Sequence, residues 1–255
     1  MPNSETPAPH PIEETKPRWK RALRPTEARI LLTALALTIA VWAFLALTGE
    51  VQEQETTRLD QTILLAFRSP IDLSTPLGPR WLQETGRDVT ALGGFTTLSL
   101  ITLMAIALLL LHRRRLQALI FGGTVAFAQI AAEAVKFIVH RPRPDLVPHL
   151  DLVYSSSFPS GHALMAPVVY LTLAAILAAG DPNRLVKILL VTGAATLVIA
   201  IGVSRVYLGV HWPTDVLAGW TIGAAISLVA TFALHVVAAA RPTATGNITH
   251  VPENS

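Results

Sequence analysis

Three short stretches of the sequence carry residue types that bind and transfer phosphate. Residues 136–144 read KFIVHRPRP, residues 159–162 read PSGH and residues 204–215 read SRVYLGVHWPTD. Together they supply cations, histidines, a carboxylate and a glycine. Phosphate ester hydrolysis requires the charge on the phosphoryl oxygens to be held while bonds to phosphorus change, and fixed positive donors usually contribute most. The three stretches therefore predict one phosphate site, provided that the fold brings them together.

The third stretch is the most specific of the three. Pro213 suits the first turn of a helix, and helical side chains lean toward the helix N-terminus, so Asp215 is expected to point back toward His211. A carboxylate on one imidazole nitrogen fixes the tautomer and leaves the other nitrogen free for attack. The alternative is that Asp215 only stabilises the helix dipole, but this does not explain the presence of Arg205 at the same place.

The other two stretches each allow a second interpretation. Ser160 is a good N-cap and Gly161 permits close backbone approach, so the first N–H groups of a helix here can bind phosphate, with His162 beside them. The alternative is an ordinary N-cap with an incidental histidine. Lys136 and Arg143 are candidate phosphate ligands, and the alternative is that they are interfacial anchors whose charges reach lipid headgroups.

Long apolar runs must position these residues. The chain has 255 residues, is 51% hydrophobic and 15% charged, and has a mean hydropathy of +0.49. A membrane-spanning helix needs about 20 mostly apolar residues. Six runs qualify, at roughly residues 29–49, 90–111, 116–138, 163–180, 186–203 and 214–239. We therefore predict an all-α fold, a polytopic membrane protein with six transmembrane helices in one domain that covers residues 29–240.

Basic residues mark one side of the predicted bundle. They precede the first run, occupy residues 112–115, recur at Arg184 and Lys187, and follow the last run at Arg241. The positive-inside rule makes these segments cytoplasmic. The first run is too long and starts too late for a secretory signal peptide. We predict a multi-pass protein of the cytoplasmic (inner) membrane, with both termini cytoplasmic and the phosphate site on the outer or periplasmic side.

The remaining composition limits the classes of function. The chain has no cysteine, which excludes disulfides, thiol nucleophiles and cysteine-ligated metals. A net charge of +3 gives no nucleic-acid footprint, so no nucleic-acid partner is expected. Residues 1–28 and 241–255 are predicted to be disordered cytoplasmic tails. Residues 50–89 form a predicted outward-facing loop, in which residues 59–67 and 79–83 are candidate interfacial helices.

The three stretches match K-x6-RP, PSGH and SR-x5-H-x3-D. In these motifs and in its spans the chain resembles the type 2 phosphatidic acid phosphatase (PAP2) superfamily, which also includes the vanadium haloperoxidases, over roughly residues 90–239. The resemblance implies a helical bundle of that type and a metal-independent phosphatase without a cofactor. It implies that His211 is the nucleophile, that Asp215 orients it and that His162 protonates the leaving oxygen. The implied phosphate-binding residues are Lys136, Arg143, Ser160, Gly161 and Arg205.

The resulting hypothesis is an integral membrane phosphatase that forms a phosphohistidine. Its partner is a membrane lipid substrate in the bilayer: undecaprenyl diphosphate, phosphatidate or phosphatidylglycerol phosphate. The alternatives are a lipid A phosphatase, a soluble phosphoester phosphatase with the same site, a non-hydrolytic lipid-phosphate transporter and a scaffold. Glu133 is expected to pair with Lys136, and Arg141 is interpreted as a loop cation that touches a diphosphate. The oligomeric state is left open.

Overall fold

The computed structural model describes residues 25–153 and 155–239. Within these ranges the chain forms helices and no β-strand, so the predicted all-α fold class is confirmed. One segment, Pro167–Leu171, forms a π-helical turn. The α-helices are α1 (Pro25–Gln52), α2 (Thr57–Leu65), α3 (Arg80–Ala91), α4 (Phe95–Leu111), α5 (Arg115–Val139), α6 (Gly161–Ala166), α7 (Thr172–Gly180), α8 (Arg184–Tyr207) and α9 (Pro213–Ala239).

The described residues include five helical segments that are long and apolar enough to cross a membrane. They correspond to α1, α5, α6 with α7, α8 and α9. The remaining predicted span, residues 90–111, lies in α3 and α4, which qualify only as a pair and bend by 43° at the break between them. Gly93 and Gly94 lie at this break. The chain is a multi-pass membrane protein with five such helices, or six if the bent pair forms one span.

The helix that follows the PSGH stretch is interrupted by Pro167. Proline has no N–H to donate to the carbonyl four residues earlier, and the chain takes one π-helical turn at this position before α7 begins. Such turns are commonly found near functional sites. The first part of the helix, including Ala163, Leu164 and Ala166, is buried. The interruption thus separates a buried segment beside the candidate site from the remainder of the span.

Close packing between α6 and α9 depends on two glycines of α9. A Cβ atom at Gly219 would lie 2.9 Å from the carbonyl oxygen of Ser160 and 3.0 Å from the Cβ of Ala163. A Cβ atom at Gly223 would clash with the carbonyl oxygen of Leu164. Small residues let membrane helices approach closely. Here they bring the start of α6 against the first turns of α9.

The segment between α1 and α4 packs onto the helix bundle. α2 contacts α9 and α3 contacts α8. Leu64, Asp60 and Arg68 of this segment are all buried. Helices therefore occur at both predicted positions, although α3 runs from Arg80 to Ala91 and is longer than the expected residues 79–83. The location of these helices at a membrane surface stays a prediction.

The predicted tails lie mostly outside the described residues. Helix α1 begins at Pro25, so residues 25–28 belong to that helix and not to the tail predicted for residues 1–28. The rest of this tail, and the tail predicted for residues 241–255, are not covered by the described ranges. Pro25 at the first helical position agrees with the preference of proline for helix starts.

Replacing Gly223 with alanine is expected to loosen the packing of α6 on α9. The added methyl group meets backbone, which cannot rotate away, and overpacking of this kind typically costs about 1–3 kcal/mol. We expect Gly223→Ala to lower the thermal unfolding midpoint of the purified protein by several degrees. Gly123→Ala is the matched control, since a Cβ there has no neighbour within 4 Å. Equal unfolding midpoints for the two variants would contradict this account.

Candidate active site

The three stretches meet at one end of the bundle. Lys136 lies in the last turn of α5, Ser160 caps α6, Arg205 lies in the last turn of α8 and Asp215 lies in the first turn of α9. The backbone N–H of Ser160 donates to the carbonyl oxygen of Asp215 at 3.0 Å. Because neighbouring spans run in opposite directions, residues far apart in sequence reach the same end of the membrane domain.

His211 lies in the short connection between α8 and α9. Gly209, with a φ of +75°, allows the chain to turn directly after α8. The N–H of Trp212 then donates to Oδ2 of Asp215 at 2.9 Å. This arrangement places Oδ2 of Asp215 3.4 Å from Nδ1 of His211. The Oγ of Ser157 lies 3.4 Å from the same nitrogen and donates to Oδ2 of Asp215.

The other imidazole nitrogen faces a cation. Nη1 of Arg143 lies 3.2 Å from Nε2 of His211. Burial lowers the pKa of His211 to about 4, and the charges of Arg205 and Arg143 act in the same direction, while Asp215 opposes them. The imidazole is therefore neutral near pH 7. With Nδ1 directed at a carboxylate, the lone pair of a neutral ring is carried by Nε2, toward the arginine.

Arg143 is held by backbone and not by carboxylates. Its Nε donates to the carbonyl oxygen of Ser155 at 2.8 Å, and its Nη1 donates to that of Val210 at 2.7 Å. Burial and the charge of Arg205 lower the pKa of Arg143 to about 10. The guanidinium remains charged at neutral pH. Its orientation is fixed while its positive charge stays available to a ligand.

Arg205 is the second guanidinium of the site. It is 2% exposed; its Nη1 contacts Oδ2 of Asp151 at 2.6 Å and Oγ1 of Thr90 at 3.0 Å. Burial opposes ionisation of Asp151, but the hydrogen bond and charge of Arg205 hold the pKa of that carboxyl below its usual value. The Nε of Arg205 is buried without a partner among the described residues. An anion beside Arg143 and Arg205 would relieve their mutual repulsion.

Lys136 completes the cationic side of the site. A Cβ atom at Gly161 would lie 3.4 Å from Nζ of Lys136, so this ammonium group lies directly beside the start of α6. The same nitrogen lies 3.1 Å from Oε1 of Glu133, which is the pairing expected from the sequence. Nζ of Lys136 also contacts Oγ of Ser155 at 3.5 Å.

Ser160 and His162 take different places. Ser160 is fully buried, and its Oγ accepts the N–H of Ala163 at 3.5 Å, as an N-cap does. His162 lies against the α3–α4 break: a Cβ atom at Gly93 would be 3.3 Å from its Cδ2.

Within the described ranges, no group of three or more histidine, cysteine, aspartate or glutamate side chains is arranged to hold a metal ion.

The part of the chain that contains this site is similar to known proteins. The model of the PAP2 superfamily matches residues 117–238, which include every candidate site residue named above from the three stretches. Phosphatidylglycerophosphatase B of Bacillus subtilis is 33% identical over 150 residues, which cover 56% of this chain and 70% of that protein. The chain belongs to the PAP2 superfamily. It is accordingly a phosphoester hydrolase.

Two further proteins are similar to this chain. Decaprenylphosphoryl-5-phosphoribose phosphatase of Mycobacterium tuberculosis is 33% identical over 122 residues, 47% of this chain and 62% of that protein. The crystal structure of the transmembrane PAP2 type phosphatidylglycerolphosphate phosphatase from Bacillus subtilis superimposes with a TM-score of 0.69 at 26% identity. The match covers 80% of this chain and 98% of that one. The likeness extends over nearly the whole of that solved chain.

Several residues of this PAP2 site were not found by sequence reasoning. Asp151 had no assigned role, yet it forms the ion pair with Arg205. Ser157 and Thr90 contact Asp215 and Arg205 respectively. The sequence offered a weak signal only for Ser157, which lies three positions before Ser160 in the PSGH stretch. Asp151 lies in the loop between α5 and α6, and Thr90 lies in α3. Their approach to Arg205 depends on how these elements pack, which the spacing of residues in the sequence does not predict.

The interpretation of Arg141 as a cation that touches a diphosphate finds no support in the geometry. Its Nη1 lies 2.6 Å from Oδ1 of Asp215, and its Nη2 lies 2.6 Å from Oδ2 of Asp60. Both terminal nitrogens of the guanidinium are therefore occupied by buried carboxylates. Arg141 faces the back of Asp215, whereas Arg143 faces His211.

An apolar groove leads away from the site between α4, α5 and α6. It encloses about 460 Å³. Lys136, His162 and Gly161 line its end at the site, while Ile106 and Gly122 line it farther along the helices. Other lining residues are mostly apolar or small, namely Phe95, Leu98, Val125, Ala126, Ala132 and Met165. The groove therefore joins the cationic pocket to the part of the bundle that lies within the bilayer.

The lowered pKa of His211 predicts the acid limb of the activity profile. A histidine that acts as the nucleophile must be unprotonated, and a pKa of about 4 keeps His211 so until the pH falls through that value. Since kcat/KM reports the free enzyme, we expect no enzyme ionisation between pH 5 and 7 on its acid side. The pH dependence of phosphate release checks this, with the substrate's own ionisation measured by ³¹P titration and recovery at pH 7 as the stability control. An acid limb near pH 6.5 that the substrate does not explain would contradict the assignment.

Proposed function

We propose that this chain hydrolyses the phosphate ester of a membrane lipid, with His211 as the nucleophile and a phosphohistidine as the intermediate. The observation that carries the proposal is the position of Nε2 of His211, 3.2 Å from Nη1 of Arg143, on an imidazole that burial keeps neutral. A neutral nitrogen beside a fixed cation is suited to attack a phosphorus atom whose oxygens that cation holds.

The reaction takes two steps. In the first, His162 carries a proton that is stabilised by the negative charge of the bound phosphate. Nε2 of His211 forms a bond to phosphorus, the bond between phosphorus and the ester oxygen breaks, and the protonated imidazole of His162 gives its proton to that oxygen. In the second, His162 takes a proton from water, the water oxygen attacks phosphorus, and the bond to Nε2 breaks to release inorganic phosphate. Asp215 holds the imidazole through Nδ1 in both steps. Each proton and leaving group is thus assigned to a named side chain.

The cations supply charge stabilisation. Lys136 lies in the last turn of α5, Arg143 lies in the loop that follows α5, and Arg205 lies in the last turn of α8. The N–H of Gly161 belongs to the start of α6, where backbone N–H groups lack helical partners. The Oγ of Ser160 caps α6; its contribution to a phosphate is therefore secondary to its role in fixing that helix end.

The groove supports a lipid substrate. A lipid held by its phosphate at Lys136 and His162 has an apolar path beside α4 and α5 for its tail. Two relatives are named for phosphates carried by lipids, one on glycerol and one on a ribose. Phosphatidylglycerol phosphate, phosphatidate and undecaprenyl diphosphate are the candidate substrates. Glu133, at the mouth of the groove, favours a carrier with hydroxyl groups beside the phosphate, since a carboxylate accepts their hydrogen bonds.

Loss of His211 is expected to abolish phosphate release. Purified wild-type, His211→Ala and His235→Ala proteins would be assayed in detergent with EDTA. The substrates would be phosphatidylglycerol phosphate, phosphatidate, undecaprenyl diphosphate and glucose 6-phosphate. Removal of a nucleophile costs about 10³-fold or more, so we expect release from the lipids to fall by at least that factor in His211→Ala. His235 lies exposed near the far end of α9, and its substitution is expected to leave the rate unchanged.

The other outcomes separate the competing functions. Binding of the lipids without turnover by the wild-type protein would favour a transporter. Faster release from glucose 6-phosphate than from the lipids would indicate that the substrate is a soluble phosphate ester and not a lipid. Equal release from wild-type protein and His211→Ala would reject the proposed nucleophile.

We also propose that the site opens on the outer face of the cytoplasmic membrane. At the opposite end of the bundle, Arg113 and Arg114 lie in the connection that follows α4, Arg115 begins α5, and Arg184 and Lys187 lie in the first four residues of α8. Cytoplasmic connections carry such an excess of basic residues. The site end of the chain is then exposed to the periplasm or the cell exterior.

Single cysteines in this cysteine-free chain test the orientation. Ile71 is 96% exposed in the loop between α2 and α3, on the site side. Pro182 is exposed in the connection between α7 and α8, on the other side. We expect a membrane-impermeant maleimide to label Ile71→Cys only in right-side-out vesicles and Pro182→Cys only in inverted ones. The reverse pattern would place the site on the cytoplasmic face.

A further inference from the structure

Arg141 is the centre of a buried charge cluster behind the candidate nucleophile. Its side chain is 11% exposed and lies between two carboxylates that are fully buried, those of Asp60 and Asp215. Its Nη1 also donates to Oγ1 of Thr214 at 2.8 Å. The guanidinium stacks near the ring of Trp212, with Cζ 5.6 Å from the ring centroid. Every one of these contacts is internal to the protein.

Asp60 connects α2 to the start of α9. Its Oδ1 accepts the N–H of Thr214 at 2.9 Å, and its Oδ2 accepts the hydroxyl of Thr214 at 2.7 Å. The N–H of Thr214 is one of the first in α9 and has no partner within the helix. Asp60 therefore caps α9 from a different helix. It also supplies the second anion that Arg141 requires, at 2.6 Å from Nη2.

The carboxylate of Asp215 is consequently fixed on both oxygens. Oδ1 accepts from Arg141, whereas Oδ2 accepts from Ser157 and from the N–H of Trp212 at 2.9 Å. Only Oδ2 is near His211, at 3.4 Å from Nδ1. Because Oδ1 is held by Arg141, the carboxylate has a fixed orientation relative to the imidazole. Removal of the anchor would free the carboxylate to rotate or to pair elsewhere.

Two buried anions cannot remain close to each other without a cation. Arg141 meets that need with a planar guanidinium whose two terminal nitrogens each contact a different carboxylate, an arrangement that the single ammonium of lysine does not provide. The same occupancy excludes a phosphate from its terminal nitrogens. Arg143 lies only two positions later and donates its hydrogen bonds to backbone carbonyl oxygens. These neutral partners do not cancel its charge, which stays available to a ligand. The two arginines of the HRPRP sequence thus face opposite sides of the His211–Asp215 pair.

We propose that Asp60 and Arg141 are positioning residues that set the carboxylate of Asp215, and that α2 is thereby the outer brace of the catalytic histidine. This inference rests on the proposed function of His211. It gives the segment between α1 and α3 a role in catalysis. It also assigns Arg141 to the protein's own machinery and not to recognition of a second phosphate.

The test is a double-mutant cycle through Asp215. Phosphate release would be measured for Arg141→Gln, Asp60→Asn and Asp215→Asn, and for Arg141→Gln combined with Asp215→Asn, with phosphatidate and with undecaprenyl diphosphate. Loss of a supporting residue typically costs about 10–100-fold. We expect such a fall in kcat for Arg141→Gln and for Asp60→Asn, with KM changed less than about threefold for both substrates. In the Asp215→Asn background, Arg141→Gln should cause little further loss.

Two results would overturn the inference. If Arg141→Gln reduces kcat by the same factor with and without Asp215, the arginine does not act through that carboxylate. If its main effect is a raised KM for the diphosphate alone, Arg141 binds substrate. Rescue supplies a third criterion. Arg141→Lys keeps the charge but has one nitrogen in place of the two that bridge Asp60 and Asp215, and it should recover part of the lost kcat. No recovery together with unchanged folding would contradict the charge argument.

Binding and folding are measured separately from activity. Orthovanadate, a phosphate analogue, should bind to Arg141→Gln within about threefold of wild type and should bind much more weakly to Arg143→Gln. Arg80→Gln is the matched control, because the Arg80 side chain is 92% exposed. If Arg141→Gln does not fold, Asp60→Asn and Arg141→Lys take its place in the cycle. Wild-type rates in His211→Ala would reject the proposed function itself, whereas an inactive His211→Ala with an additive cycle rejects only the positioning role.

Discussion

The burial of one carboxylate organises the catalytic end of this protein. Taking an ion out of water costs on the order of several kcal/mol unless donors and cations surround it, and Asp215 is fully buried. Its side chain is surrounded by Arg141 and Ser157, both from the loop between α5 and α6, and by the N–H of Trp212 just before α9. Its carbonyl oxygen accepts the N–H of Ser160, at the end of the same loop. The convergence of the α5–α6 loop on the start of α9 is the condition under which Asp215 can stay charged, and the same convergence builds the site.

The balance of charge around that carboxylate divides the cations into two groups. Arg141 is neutralised by Asp60 and Asp215, so it contributes structure. Arg143 is anchored by carbonyl oxygens, which orient it without cancelling its charge. The charge of Arg205 is compensated less than that of Arg141 and more than that of Arg143, because Arg205 contacts one carboxylate, the partly exposed side chain of Asp151. Cations held in place before the phosphate arrives need little reorganisation during the reaction, which is the physical basis of electrostatic catalysis.

The sequence allows the prediction of those features that depend on local pattern. Apolar runs predict the spans, and the position of Asp215 one turn into α9 predicts its approach to His211. The two arginines of HRPRP lie two positions apart, and the K-x6-RP spacing selects Arg143 as the candidate phosphate ligand. The spacing does not reveal what Arg141 does, because its partner Asp60 is distant in sequence. The bend between α3 and α4 was missed because hydropathy reports composition and not the direction of a helix axis.

The groove beside α5 sets limits on how the substrate is selected. A lipid tail is already in an apolar medium, so its transfer from the bilayer to a groove lined by Leu98, Val125 and Met165 gains little hydrophobic free energy. Affinity must then come mostly from the phosphate and its cations, and the groove serves to hold the tail in register with them. Discrimination between lipids then depends on the polar groups at the junction between the apolar groove and the cationic pocket. Glu133 and Gln129 line that junction, and their hydrogen-bonding capacity suits the carrier of the phosphate more than the tail.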